Sequence, residues 1–336
     1  MKHSDRPVDK HGFPIPQTFE SAGLGSQASR DEASGIPRRG IGQRGKYVLV
    51  GMLAVVAVVL VLDSPLTTIA RLATSEWLAE VAEHRISNDD VHGALTEMDW
   101  AIWFGHDRPE LYFLRATWRL EAKDLAGALA DSDRVISLDG GALKTLAGRK
   151  TGAQLDPIAR RRLSWTYMHR SQVYQRLGDT KRALEDANEA VKTRLDSDAI
   201  PLNARAYARA LAGVELKEAL ADVELALRMA GGDIPAFLDT RGLIQHLLGN
   251  QTEALTDLDL AIGRTEEERR VPLSAARRRV APAGFLARRL RYYNETLAVM
   301  YHHRGMVYEK VGRKEEATAD LRQGDKLGYN PAEGVY

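Results

Sequence analysis

The chain has 336 residues, 47 basic and 46 acidic side chains, a net charge of +1, 44% hydrophobic and 7% aromatic residues, and no cysteine. Its apolar content is ample for a buried core and excludes a chain unfolded throughout, while the missing cysteine removes disulfide frameworks, thiol nucleophiles, iron–sulfur clusters and cysteine-ligated zinc. The balanced charge carries no information about partners until it is resolved along the chain.

Residues 1–46 are rich in Gly, Pro, Ser and Arg and show no sustained apolar period, so they are expected to be a disordered basic tail. Residues 47–62, from Tyr47 to Leu62, contain no charge and are mostly Val, Leu, Ala and Met. As a helix this run is roughly 24 Å long, slightly short for a bilayer, but with Lys46 snorkelling at one end and Tyr47 at the interface a single membrane span is the expected reading. Arg38, Arg39, Arg44 and Lys46 crowd the N-terminal flank, whereas the other flank has Asp63 and no base before Arg71. The positive-inside rule then predicts an uncleaved signal anchor in the plasma (inner) membrane, with the N-terminus cytoplasmic, a linker over 63–74 and the remainder exoplasmic or periplasmic.

From residue 75 a repeat is legible. Ala94, Ala128, Ala183, Ala219, Ala254 and Ala317 recur in a constant setting, and a second register of small residues, Ala82, Ala116, Ser171, Ala206, Gly242 and Gly305, follows them. The spacing is about 34 once insertions at 143–163 and 269–297 are set aside. Between the two registers stand turn signals such as Gly178-Asp179, Gly249-Asn250 and Gly312, flanked by apolar stripes at helical spacing. Each unit therefore reads as two helices joined by a short turn, and the small residues mark where the pair approaches closely.

These positions together resemble the tetratricopeptide repeat family, in six units near 75–108, 109–142, 164–197, 199–233, 235–268 and 298–331. The fourth unit carries one extra residue near Gly213. The resemblance implies an all-α, right-handed superhelical solenoid whose concave groove is lined by the first helix of each unit. Counting positions within the units places Trp165, Met168, Gln172, Asn203, Tyr207, Asp239, His246, His302 and Met306 on that groove. A mixture of Met, Tyr, Trp and amides suits a peptide or an extended segment of another protein better than a compact metabolite. The Lys, Asn and Arg clamp with which some relatives hold peptide C-termini is not reproduced, because Met168, Gln172 and Asn203 stand there.

No catalytic motif survives inspection. His302 and His303 are adjacent, about 100° apart on a helix, and do not form the i, i+4 pair of a helical zinc site. Gly23, Gly25 and Ala28 lie in the tail with no strand before them, and Gly148-Arg149-Lys150-Thr151 breaks the order of a phosphate-binding loop. No enzymatic activity, metal or cofactor is expected.

Charge is strongly segregated. Residues 269–293 carry Arg269, Arg270, Arg277, Arg278, Arg279, Arg288, Arg289 and Arg291 and no acid, and 143–163 is also basic, so the repeats themselves are acidic. The basic insertion suits an anionic surface, or it pairs with the acidic repeats of its own chain. Nucleic acid is disfavoured by the predicted topology. Residues 284–293 contain no helix breaker and are expected to lengthen the first helix of the sixth unit, with Pro272 and Pro282 marking a kinked start. The sequence thus predicts a membrane-anchored interaction scaffold, or alternatively a structural subunit of a large envelope or membrane-associated assembly.

Overall fold

The computed structural model describes residues 65–105, 107–147, 156–278 and 283–329. The expected tail and span lie outside the described residues, among which no helix is long and apolar enough to cross a membrane. Within them are twelve helices and no strand. In chain order they are α1 (Pro65–Ser87), α2 (Val91–Phe104), α3 (Pro109–Glu121), α4 (Leu125–Ala147), α5 (Pro157–Arg176), α6 (Thr180–Thr193), α7 (Ile200–Ala212), α8 (Leu216–Ala230), α9 (Pro235–Leu248), α10 (Gln251–Arg278), α11 (Ala283–Lys310) and α12 (Lys314–Leu327). They form six consecutive helix pairs.

Several first helices begin earlier than the repeat phase alone indicates. Residues 65–74, read above as linker, are the first turns of α1, and α5 opens at Pro157. The two insertions are likewise taken up largely by helix: α4 runs on to Ala147, α10 to Arg278, and α11 starts at Ala283. Pro272 lies inside α10. The physical reason is that proline at the first helical position lacks only an N–H that would have no helical partner, so Pro65, Pro109, Pro157 and Pro235 start helices. Asp156 adds a side-chain cap to α5 by accepting from the Ala159 N–H.

Each pair is joined by a turn with one residue in the left-handed region: Asp89, Lys123, Gly178, Gly213, Gly249 and Gly312. In the fourth repeat Glu215 is left-handed as well, which is how its extra residue is accommodated. Both registers of small residues are buried throughout. At Gly242 the reason is direct, since a Cβ there would lie 2.8 Å from Leu258 Cγ and 3.3 Å from the carbonyl oxygen of Ala254.

The described residues divide into two compact parts, 65–84 with 92–108, and 85–91 with 109–329. In the first, the buried Ser75 hydroxyl donates to the Ala101 carbonyl at 2.7 Å, and Trp100, Trp103 and Phe104 meet edge to face. Ser164 makes the same bond to Ala190 in the second part, again across 26 residues, so this contact belongs to the repeat.

The second part is held together by a ladder of ion pairs that follows the repeat. The residue preceding each small position of the first helix is Arg115, Arg170, Arg205, Arg241 or Arg304. The residue three beyond each Ala of the second helix is Asp131, Asp186, Asp222, Asp257 or Asp320. Each Arg grips its Asp with two nitrogens, at 2.6–2.9 Å. All five carboxylates are buried, so the bidentate geometry supplies acceptors and donors that water no longer provides. The ladder also links successive repeats. Arg170, Arg205 and Arg304 each extend Nη1 to the residue two beyond the Asp of the preceding repeat, namely Asp133, Asn188 and Asp259. The first repeat has Val81 and Glu97 at the corresponding places and lacks this pair.

Candidate partner-binding groove

Equivalent positions on α5, α7 and α9 face one cavity of about 640 Å³. Met168, Gln172 and Gln175 come from α5, Asn203 and Tyr207 from α7, and Asp239 and Thr240 from α9. The far wall is α11, which contributes Tyr292, Thr296 and Met300. The cavity is therefore bounded on one side by three consecutive first helices and on the other by the lengthened first helix of the sixth repeat.

Gln175 Oε1 and Asn203 Oδ1, on residues of this lining, are buried and receive no hydrogen bond from a protein group. Asp239, by contrast, is already engaged: its Oδ1 lies 2.9 Å from Nδ1 of the buried His303, a bond that ties α9 to α11 at the floor of the groove.

Of the residues read from sequence as groove positions, Met168, Gln172, Asn203, Tyr207 and Asp239 are brought together here. The other four are not. Trp165 Nε1 donates to Asp198 at 2.7 Å and its ring is covered by Arg161. His246 Nδ1 is bonded to Gln251, and Met306 packs on the core shared by repeats four to six. His302 stacks on Tyr329 with ring centroids 3.9 Å apart, and burial, reinforced by His303 beside it, lowers its pKa. Counting repeat positions missed Tyr292 and Thr296, because they precede the sixth repeat and reach the groove only through the extension of α11.

The same extension decides the fate of the basic stretch. Arg288 grips both oxygens of Glu121, at 3.0 and 2.7 Å, and Arg291 reaches both oxygens of Asp89, at 3.2 and 2.6 Å, as well as Glu121. Asp89 is the left-handed turn residue before α2, and Glu121 ends α3, so the N-terminal half of α11 is clasped to two turns far away in sequence. Beside the clasp, burial raises the pKa of Glu295, with Arg291 opposing. Arg289 bonds the Tyr293 hydroxyl, and Arg269 pairs with Glu266 on its own helix. Arg270 is exposed, Arg277 and Arg278 lie on α10, and Arg279 lies outside the described residues. In the other basic insertion Arg162 grips Asp139 and Arg160 donates to the Thr193 carbonyl. Where side chains are described, much of the basic charge is thus met by the chain's own acids and carbonyls.

Among the described residues no group of three or more His, Asp or Glu is placed to hold a metal ion. A sequence model of the tetratricopeptide repeat family matches residues 166–196 and 298–327, the third and sixth pairs. Comparison with curated proteins finds no match. Among solved structures, the apo form of RapI superposes with a TM-score of 0.51 at 11% identity, covering 75% of this chain and 97% of that one. A tetratricopeptide repeat protein from Parabacteroides merdae gives 0.45 at 18% identity, covering 77% and 94%. PilW, described as a type IV pilus biogenesis factor, gives 0.48 at 12% identity, covering 77% and 96%. The chain carries tetratricopeptide repeats at its third and sixth pairs, and its described residues are all-helical, with a fold similar to that of RapI.

Proposed function

We propose that this chain is a membrane-anchored scaffold that holds an extended segment of another protein in the groove between α11 and the first helices of repeats three to five. The observation that carries the reading is the cavity of about 640 Å³ itself, in which Gln172, Gln175 and Asn203 stand with Met168, Tyr207, Tyr292 and Met300. An extended backbone offers N–H groups at regular intervals, while the flexible Met and amphipathic Tyr side chains accommodate varied neighbours. Anchoring through residues 47–62, with the N-terminus cytoplasmic and the repeats exoplasmic, confines the groove to a thin layer and raises its effective concentration toward other membrane proteins.

The test is site-specific photocrosslinking from position 172 in native membranes, compared with the same probe in a chain carrying Gln175→Leu and Asn203→Leu. Crosslinks that map to one contiguous stretch of a partner and fall severalfold in the double variant support the reading. Crosslinks of equal yield in both chains refute groove recognition by the amides. Topology is tested separately: a reporter fused after Tyr336 that is active only in the cytoplasm contradicts the exoplasmic placement.

A further inference from the structure

Helix α1 is apolar on two opposite faces. One face is buried, with Ser75, Leu78, Ala82 and Ile86 packed inward. On the other, Leu66 is 79% exposed, Ile69 63% and Trp77 60%, with the exposed Ala73 between them. At helical spacing these four fall within an arc of about 80°. Glu80, at nearly the same azimuth one turn further on, is exposed and ends the stripe.

What lies against this face is indicated by where the helix begins. Only Asp63, Ser64 and Pro65 separate Leu66 from the end of the uncharged run 47–62. Even a fully extended connection places Leu66 within about 14 Å of that run. If α1 pointed away from the bilayer, Trp77 would stand about 16 Å further out with its large ring in water. If α1 lies along the surface, all four residues reach the boundary between headgroups and acyl chains, where Trp is favoured and an apolar helix face is covered.

We propose that the Leu66, Ile69, Ala73 and Trp77 face of α1 is seated on the lipid surface beside the span, so that the first repeat is docked on the bilayer as well as tethered to it. This rests on the anchor reading of residues 47–62. The occupant is lipid, and a membrane protein or a second copy of this chain is an alternative that the experiment separates.

Because the chain has no cysteine, single cysteines can be placed at Ala73 and Trp77, and at the exposed Lys181 of α6 as a water-facing reference, in the full chain without removing others. Each is labelled with a nitroxide and reconstituted into vesicles of phosphatidylethanolamine and phosphatidylglycerol. Collision with oxygen, which concentrates in lipid, is compared with collision with a water-soluble nickel chelate. The expected result is an oxygen-to-nickel ratio severalfold higher at positions 73 and 77 than at 181. Ratios at 73 and 77 as low as that at 181, in a chain that still floats with the vesicles, overturn the docking and leave the anchor standing. Labels at 73 and 77 shielded from both reagents also overturn it, because protein and not lipid then covers the face. A chain that does not float with the vesicles refutes the anchor itself and the docking with it.

Discussion

Replacing Asp186 by Ala tests whether the Arg–Asp ladder limits the stability of a repeat. Arg170 donates two bonds of 2.7 Å to Asp186, and the side chains are 18% and 7% exposed. Burial disfavours the charge on Arg170, but its bonds and charge contacts with Asp186 and Asp133 outweigh this and hold the guanidinium above its usual range. Burial also pushes the Asp186 carboxyl up, opposed by Arg170, so the intact pair carries a large desolvation cost of its own. Removing one partner of a buried pair costs about 3–5 kcal/mol. Here Arg170 keeps a bond to the mostly exposed Asp133, so about 2–3 kcal/mol is expected.

The double variant Arg170→Met with Asp186→Leu removes both charges and is expected to cost under about 1 kcal/mol, less than the single change. Repeat arrays open locally, so amide hydrogen exchange of the full chain in detergent is more informative than a melting curve. Exchange in α5 and α6 is expected to rise about thirty- to a hundred-and-fortyfold in Asp186→Ala, with α12 unaffected. If exchange in Asp186→Ala stays within about twofold of the wild type, or if the double variant opens as readily as the single, the ion-pair account of the ladder is refuted.

The clasp of α11 is far weaker, because Arg288 and Arg291 are 35% and 41% exposed, so each pair is worth about 1 kcal/mol or less. Changing both to Ala is expected to speed exchange over 283–297 by up to about tenfold at low salt, with the difference from wild type shrinking as salt is raised; equal exchange at low salt would remove the clasp. His169 stacks on Phe113, and burial lowers its pKa to about 4. Since the folded value lies below the ordinary one, this neutral imidazole's contribution is complete above about pH 6.5 and is lost as pH falls toward 4, a change on the order of 3 kcal/mol. Protection of α3 and α5 against exchange should fall over that range and fall less in His169→Phe. The same substitution should have opposite signs at two helical glycines. Gly263→Ala meets nothing within 4 Å and is expected to stabilise by about 0.5–1 kcal/mol. Gly242→Ala drives a Cβ against the buried Leu258 and is expected to destabilise by about 1–3 kcal/mol, as urea titrations of the two variants would show.

The residues of the ladder recur regularly in the sequence. Arg170, Arg241 and Arg304 stand directly before the small residues Ser171, Gly242 and Gly305, and Asp186, Asp257 and Asp320 recur 16 residues later. A charged pair at that spacing spans two helices and a turn, so neither helical periodicity nor local charge patterning brings it out. Among the groove residues, Met168, Gln172, Asn203 and Tyr207 followed from counting within repeats, because the repeat fixes which side of a first helix faces the cavity. Trp165 and His302 did not follow, because a residue's nearest partners, Asp198 and Tyr329, come from the connecting segment and the chain end.

By itself the sequence determined the paired helices, their period and their close contacts, since these depend on turn residues, apolar stripes and small side chains acting over at most one repeat. Only the tertiary structure decided where the basic stretch goes. Charge composition left Arg288 and Arg291 equally suited to an outside anion or to the chain's own acids, and their partners, Glu121 and Asp89, lie 167 and 202 residues away. That pairing depends on the accumulated rotation of several repeats and on the reach of a lengthened α11, quantities that no local pattern of residues encodes.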